Sequence, residues 1–459
     1  MATWAAVVLA AGKGVRMNSA LPKVLHRVCG REMVRHVVEA VRAVHQGPVV
    51  IVVSPDSQAV RQCLGDSVEY VEQPEPRGTG DAVARAERLL VDRAQHLLVL
   101  YGDTPLLTSS TLSRLMEWHE ATGAVLTLVT FDGVAPKGLG RIVRDAEGQV
   151  VAVVEEAEAR GKQKAITEVN GGVYGFQAEW LWPALGGLAP SSTGELYLTA
   201  LVASASREGL PVESVSCQEP GELLGVNNRV QLAQAEQAMR QRVLERWMLA
   251  GVTITDPAST YVDEGVVLGR DTVIFPNTTV AGATRVGERC HLGPGAMVFD
   301  STIGDDCKVV ASMVEGAVLE EAVHVGPFAH LRPGAYLERE VHVGNYAEVK
   351  NSRIGRGTKM GHFSYVGDAE VGRDVNIGAG TITCNYDGVR HHRTVIGDGA
   401  FIGSDTMLVA PVRVGAGAST GAGAVVTRDV PPDSLAVGMP ARPRAKGRPR
   451  ERGQPRVGK

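Results

Sequence analysis

The chain has 459 residues, 44% of them hydrophobic and 21% charged, with a formal net charge of -4. That length accommodates two or three domains with their own cores, and the charge excludes whole-chain attraction to nucleic acid or an anionic membrane. Six scattered cysteines without a CxxC pair exclude a zinc cluster or a disulfide framework.

The apolar run at 4–11 has no basic segment before it and leads into Gly12-Lys13-Gly14, which argues against a signal peptide. No apolar stretch approaches the ~20 residues that span a bilayer, so a reducing cytoplasmic setting is expected. Short apolar runs at 5–9, 49–53, 97–101 and 124–130 read as parallel strands buried on both faces. Between them, 32–44, 79–91 and 109–122 read as helices. Alternating strands and helices predict a Rossmann-like, doubly wound α/β domain over 1–227, with ligands beyond the carboxyl ends of the strands. Residues 228–250 carry Leu232, Met239, Val243 and Trp247 at helical spacing and predict one linker helix, closed by Gly251.

From 251 to 437 aliphatic residues recur every six positions. One run is Leu268, Ile274, Val280, Val286, Leu292 and Val298; another is Ile396, Ile402, Leu408 and Val414. That period suits neither a helix nor an antiparallel strand. It predicts a left-handed parallel β-helix of hexapeptide repeats, each coil having three short strands. Between Thr383 and Arg393 the period breaks, and Cys384-Asn385-Tyr386-Asp387-Gly388 predicts a protruding loop. The basic segment 438–459 predicts a disordered tail.

In the first half, Leu9-Ala10-Ala11-Gly12-Lys13-Gly14-Val15-Arg16 follows a strand, and Leu21-Pro22-Lys23 comes soon after. Glycines let the backbone approach a phosphate, and Arg16 and Lys23 add charge for a triphosphate. The segment is neither a Walker A loop nor a dinucleotide fingerprint. Asp103 in Tyr101-Gly102-Asp103-Thr104-Pro105 places a carboxylate at the ligand edge, suited to Mg²⁺. This pattern resembles the signature of sugar-phosphate nucleotidyltransferases. From Ala6 to about Val437 the chain resembles the bifunctional bacterial GlmU family. The resemblance implies that Leu9, Ala10, Ala11, Gly12, Gly14, Arg16, Lys23, Gln73, Gly78, Thr79, Tyr101, Gly102 and Asp103 hold UTP. It assigns Gly140, Glu155 and Asn170 to the N-acetylglucosamine moiety, and Asn227 to Mg²⁺ beside Asp103.

In the second half the resemblance makes His362 the general base of acetyl transfer from acetyl-coenzyme A to glucosamine-1-phosphate. Arg332, Lys350, Tyr365 and Asn376 match the amino-sugar phosphate contacts; Ala379, Asn385, Tyr386, Ser404 and Ala422 match those of acetyl-coenzyme A. Two finer readings are that Glu348 orients the imidazole and that Asn385 stabilises an oxyanion. The family's basic residue near Met439 is missing here; either Arg442 or Arg444 replaces it, or the contact is absent. The resemblance also implies a homotrimer.

From the residues alone three readings stay open. They are a bifunctional enzyme making UDP-N-acetylglucosamine, a single-activity nucleotidyltransferase assembled by its β-helix, and a non-enzymatic scaffold.

Overall fold

The computed structural model describes residues 3–132, 138–192 and 194–445. The chain divides into two compact units, Met1–Met239 and Arg240–Lys459. The first is built on a twisted sheet whose main strands are β1 (Trp4–Leu9), β2 (Val49–Val53), β3 (Glu69–Glu72), β4 (His96–Tyr101), β5 (Leu126–Asp132), β6 (Glu168–Gln177) and β7 (Val212–Ser216). Their order across the sheet is β7-β5-β6-β4-β1-β2-β3.

Alternate residues of each strand feed two separate cores. Ala6, Val8, Ile51, Leu98 and Leu100 pack with Val34, Val37, Leu112 and Leu115 of the helices Met33–Val44 and Ser109–Thr122. Ala5, Val7, Val50, Val52, Leu97 and Val99 pack with Leu181, Leu185, Leu201 and Val202 on the opposite face. The near-continuous apolar runs of the sequence are thus explained by burial on both sides.

The four expected strands run parallel to one another, and a further strand, β6, runs antiparallel to both β4 and β5; its three glycines interrupt the apolar run. One expectation needs correction. The helix expected over 79–91 is divided into Thr79–Ala84 and Glu87–Leu90. There Ala86 N–H bonds the Val83 carbonyl at 2.9 Å, a tighter i→i+3 turn.

The linker helix spans Arg229–Leu249 and crosses the division between the units. Gly251 follows with φ +96°.

The second unit is the expected parallel β-helix. Three sheets of 12, 10 and 9 short strands are paired coil upon coil, with the final strand alone antiparallel. Every residue of the two predicted aliphatic runs is at most 5% exposed. Inner corners carry buried hydroxyls that tie one coil to the next. Thr358 Oγ1 donates to Gly372 O at 2.8 Å and accepts from Val375 N–H at 3.1 Å. Ser352 accepts likewise from Ala369 N–H at 2.9 Å. Ala347 pairs with Ser364, whereas Ala369 pairs with Thr394; the longer interval contains the protruding loop.

The tail reading is corrected in part. Ala441–Ala445 forms a strand that folds back on Ser434–Gly438 and satisfies the open edge of the last coil. It sets Arg442 opposite Val437 and Arg444 opposite Leu435. The remainder of that segment, 446–459, lies outside the described residues.

Candidate active sites

In the first unit a cavity of about 430 Å³ opens beyond the carboxyl ends of β1 and β4. Its lining includes the predicted Leu9, Ala10, Ala11, Gly12, Lys23, Gln73, Gly78, Thr79, Tyr101, Asp103, Gly140, Glu155, Asn170 and Asn227. Gly12 has open space where a side chain would stand, so the backbone faces the cavity bare, as a phosphate requires. Gly14 adopts φ +61°, and a Cβ there would lie 2.6 Å from Lys23 Cβ. The glycine therefore lets the lysine stem pass into the site. Gly14, Arg16 and Gly102 are outside the cavity wall proper, but Arg16 Nη2 reaches Asn227 Oδ1 at 3.0 Å.

Lys23 Nζ is ion-paired with Asp103 Oδ2 and donates to Asn227 Oδ1 at 3.2 Å. Two oxygens from distant parts of the chain thus converge on one cationic centre. An all-oxygen pair of this kind fits Mg²⁺, which takes one or two protein ligands and completes its shell with water and phosphate.

At the Glu155 side of the cavity, burial raises the Glu155 pKa, and Thr199 Oγ1 donates to its Oε1 at 2.7 Å. Burial, with Glu155 nearby, pushes Tyr101 up to about 12 and keeps the phenol neutral. Asn170 Nδ2 donates to Tyr174 Oη at 2.6 Å. At the Gln73 side, Gln73 Nε2 donates to Gly78 O at 3.0 Å and to the buried Asp81 Oδ2 at 2.8 Å. Thr199, Tyr174 and Asp81 were missed in the sequence because each acts through another side chain.

The second unit displays its candidates on a ridge. Parallel pairing stacks the corner Gly361-His362-Phe363 between Gly344-Asn345-Tyr346 and Gly378-Ala379-Gly380, with Gly403-Ser404-Asp405 and Gly421-Ala422-Gly423 following. Glycine opens each corner, and at four of them the next coil lies against it; a Cβ on Gly344 would stand 2.0 Å from Gly361 O, whereas Gly361 itself has open space there. His362, Ala379, Ser404 and Ala422, distant in sequence, therefore form one column.

Arg332, Lys350 and Tyr365 lie on or beside strands of one sheet, where Glu348 is the register partner of Tyr365. Asn376 is on the adjacent sheet, across the corner that holds Ala379. Glu348 Oε1 accepts from Arg332 Nη1 at 2.9 Å, so the carboxylate read as orienting His362 is engaged with an arginine instead. That hydrogen bond, more than any other influence, raises the Arg332 pKa.

In the protruding loop, Asn385 Nδ2 donates to Asp368 Oδ2 at 2.6 Å and approaches Tyr365 Oη at 3.3 Å. Both amide hydrogens are committed, which removes the side-chain donor that the oxyanion reading needs. Met439 is 80% exposed.

Comparison with known proteins agrees with this division. Residues 6–173 match the MobA-like NTP transferase domain, and 393–428 match the bacterial transferase hexapeptide family of six repeats. The chain is 49% identical to the bifunctional protein GlmU of Heliobacterium modesticaldum, with 94% of each chain covered. It is 47% identical to that of Trichlorobacter lovleyi over 95% of this chain and 96% of the relative. The chain belongs to the GlmU family. Its two activities fall to its two units, uridylyl transfer to the NTP transferase and acetyl transfer to the hexapeptide β-helix. Among the described residues no helix is long and apolar enough to cross a membrane.

Proposed function

We propose that the ridge acetylates glucosamine-1-phosphate and that the cavity then uridylylates the product, yielding UDP-N-acetylglucosamine for cell-wall synthesis. The observation that carries the uridylyl half is the convergence of Asp103 and Asn227 on the Lys23 ammonium inside a cavity edged by the bare backbone of Gly12. A phosphate oxygen of N-acetylglucosamine-1-phosphate forms a bond to the α-phosphorus of UTP, and the bond to pyrophosphate breaks. Lys23 and Arg16 stabilise the charge, and the bare backbone at Gly12 cradles the phosphates. Mg²⁺ held by Asp103 and Asn227 would neutralise phosphate charge. Gln73 and Thr79 face the nucleoside, and Glu155, Asn170 and Gly140 the sugar.

On the ridge, His362 accepts a proton from the glucosamine nitrogen as that nitrogen bonds to the acetyl carbon. The carbon–sulfur bond then breaks, and the coenzyme thiolate leaves. Arg332 and Lys350 meet the sugar phosphate; Tyr365 and Asn376 meet hydroxyls. The column from Ala379 to Ala422 and the Asn385-Tyr386 loop take acetyl-coenzyme A.

Arg442 is the residue we assign to the coenzyme phosphate in place of the family's basic residue, which is missing near Met439. It pairs with Val437, whose Cγ1 lies against Gly421 beside Ala422. A homotrimer is proposed on the same footing: the sugar contacts occupy two faces of one corner, which a neighbouring copy would close.

The test supplies glucosamine-1-phosphate, acetyl-coenzyme A, UTP and Mg²⁺ together and identifies products by mass spectrometry. UDP-N-acetylglucosamine, pyrophosphate and free coenzyme A are expected. UTP consumption without coenzyme A release would leave the first activity alone. Neither product from a folded chain would sink both.

A further inference from the structure

Asp368 follows the strand Ser364–Gly367, at the outer rim of the acetyl-transfer ridge. Its side chain is only 16% exposed. Three side chains converge on it from different places: Asn351 Nδ2 donates to Oδ1 at 2.6 Å, Asn385 Nδ2 to Oδ2 at 2.6 Å, and His391 Nδ1 stands 3.0 Å from Oδ2. Its backbone accepts from Thr394 N–H at 3.2 Å and donates to Lys350 O at 3.1 Å. One residue therefore joins the preceding coil to the start, interior and exit of the protruding loop. Burial works to raise the Asp368 pKa; the hydrogen bonds from Asn351 and Asn385 and the adjacent His391 outweigh it and hold the group below the usual carboxylate value.

The contact with Asn385 has a direction. An ionised carboxylate only accepts hydrogen bonds, so it requires the NH₂ end of the amide; the reversed amide would set oxygen against oxygen. Asp368 thereby decides which polar atom Asn385 turns towards Tyr365 Oη, 3.3 Å away. Gly367 makes room for the pair: a Cβ there would lie 2.3 Å from Tyr365 Oη and 2.8 Å from Asn385 Nδ2. Tyr386, next in the loop, bridges to His391, with ring centroids 5.0 Å apart. Other aspartates share the left-handed corner conformation, Asp300 and Asp405 among them. Asp368 is set apart by its two side-chain partners in the loop.

We propose that Asp368 is a positioning residue for acetyl transfer, fixing the orientation of the Asn385 amide and the seat of the loop that carries Asn385 and Tyr386. The inference rests on the acetyltransferase reading of this ridge. The test compares Asp368→Asn, His391→Ala and Asn351→Ala in the full chain, measuring kcat and KM for acetyl-coenzyme A and, separately, uridylyl transfer.

Asn351 shares the carboxylate and, among the described residues, makes no hydrogen bond to the loop, so its loss reports the coil-to-coil contact. Asp368→Asn is expected to raise the KM for acetyl-coenzyme A and lower kcat by about tenfold, with His391→Ala intermediate, through misplacement of the loop. Asn351→Ala keeps both values, and uridylyl transfer is unchanged in all three. Equal kinetics for Asp368→Asn and Asn351→Ala would overturn the proposal. Should Asp368→Asn fail to fold, a His391→Ala enzyme with wild-type KM would do so. No coenzyme A release from wild type would instead remove the acetyltransferase reading beneath it.

Discussion

The two units solve the problem of placing a site in opposite ways. The α/β unit gathers residues from the ends of several strands around an open-mouthed cavity, where burial raises the pKa of Tyr101 and Glu155. The β-helix displays its candidates on an outer corner and the strands that flank it, and leaves Phe363 and Tyr386 more than half exposed. A cavity obtains electrostatic strength by excluding water. A ridge depends on exact stacking and, by our proposal, on a neighbouring copy to close it.

The contrast breaks most visibly at single residues. His362→Ala should reduce acetyl transfer by roughly 10²–10⁴-fold, the range of general-base catalysis, while uridylyl transfer continues at the wild-type rate. Coenzyme A release and pyrophosphate release from one preparation check both halves; a parallel fall in the two would contradict independent sites. Asp103→Asn should do the converse. Removing the charge that meets Lys23 costs uridylyl transfer about 10²–10³-fold and leaves acetyl transfer intact. Titrating Mg²⁺ should show that the variant needs more metal for half-maximal rate.

Legibility differed between the units for physical reasons. The hexapeptide period was readable because each coil repeats one demand, a small aliphatic residue facing inward, as at Ile274, Val280 and Leu292. The first unit's parallel strands were readable from continuous apolar runs, but β6 was not, since Gly171, Gly172 and Gly175 interrupt it. Among the candidate site residues, Gly12, Lys23 and Asp103 lay in recognisable motifs, whereas Gly140, Glu155, Asn170 and Asn227 followed only from the family resemblance. Those acting through another side chain, such as Asp81 behind Gln73 and Asp368 behind Asn385, have no local signature. Glu348 shows the limit in reverse: the expected partner was His362, and three-dimensional pairing supplied Arg332.

The units should also differ in their response to acid. In the first, His119 is fully buried, with Nδ1 2.8 Å from Thr127 Oγ1 and Nε2 3.1 Å from His96 Nδ1. Trp4 stacks on His96 at 5.0 Å and donates to Glu120. Burial, then the neighbouring His96, pulls the His119 pKa down to about 4. A histidine depressed in the folded state gives stability that is full above its unfolded value near 6.5 and lost as pH falls towards 4. That loss amounts to about 3 kcal/mol at most. Thermal unfolding followed by circular dichroism at pH 7 and pH 5 reads it. His119→Gln should flatten the dependence, and an unchanged slope would refute the assignment.

A smaller effect tests how the β-helix coheres. Thr358 is fully buried and both donates to Gly372 O and accepts from Val375 N–H, so it bridges successive coils. Thr358→Val keeps the shape and removes both bonds, leaving a buried N–H unsatisfied at a cost of about 1–3 kcal/mol. Because the next strand is Asn376–Ile377, the loosened coil carries a proposed sugar contact. The expected result is a lower midpoint for the β-helix transition in denaturant and a modest rise in KM for glucosamine-1-phosphate. The KM for UTP should not move, because coil-to-coil bonding in a solenoid is local, and a shift there would mean that the two units share one cooperative transition.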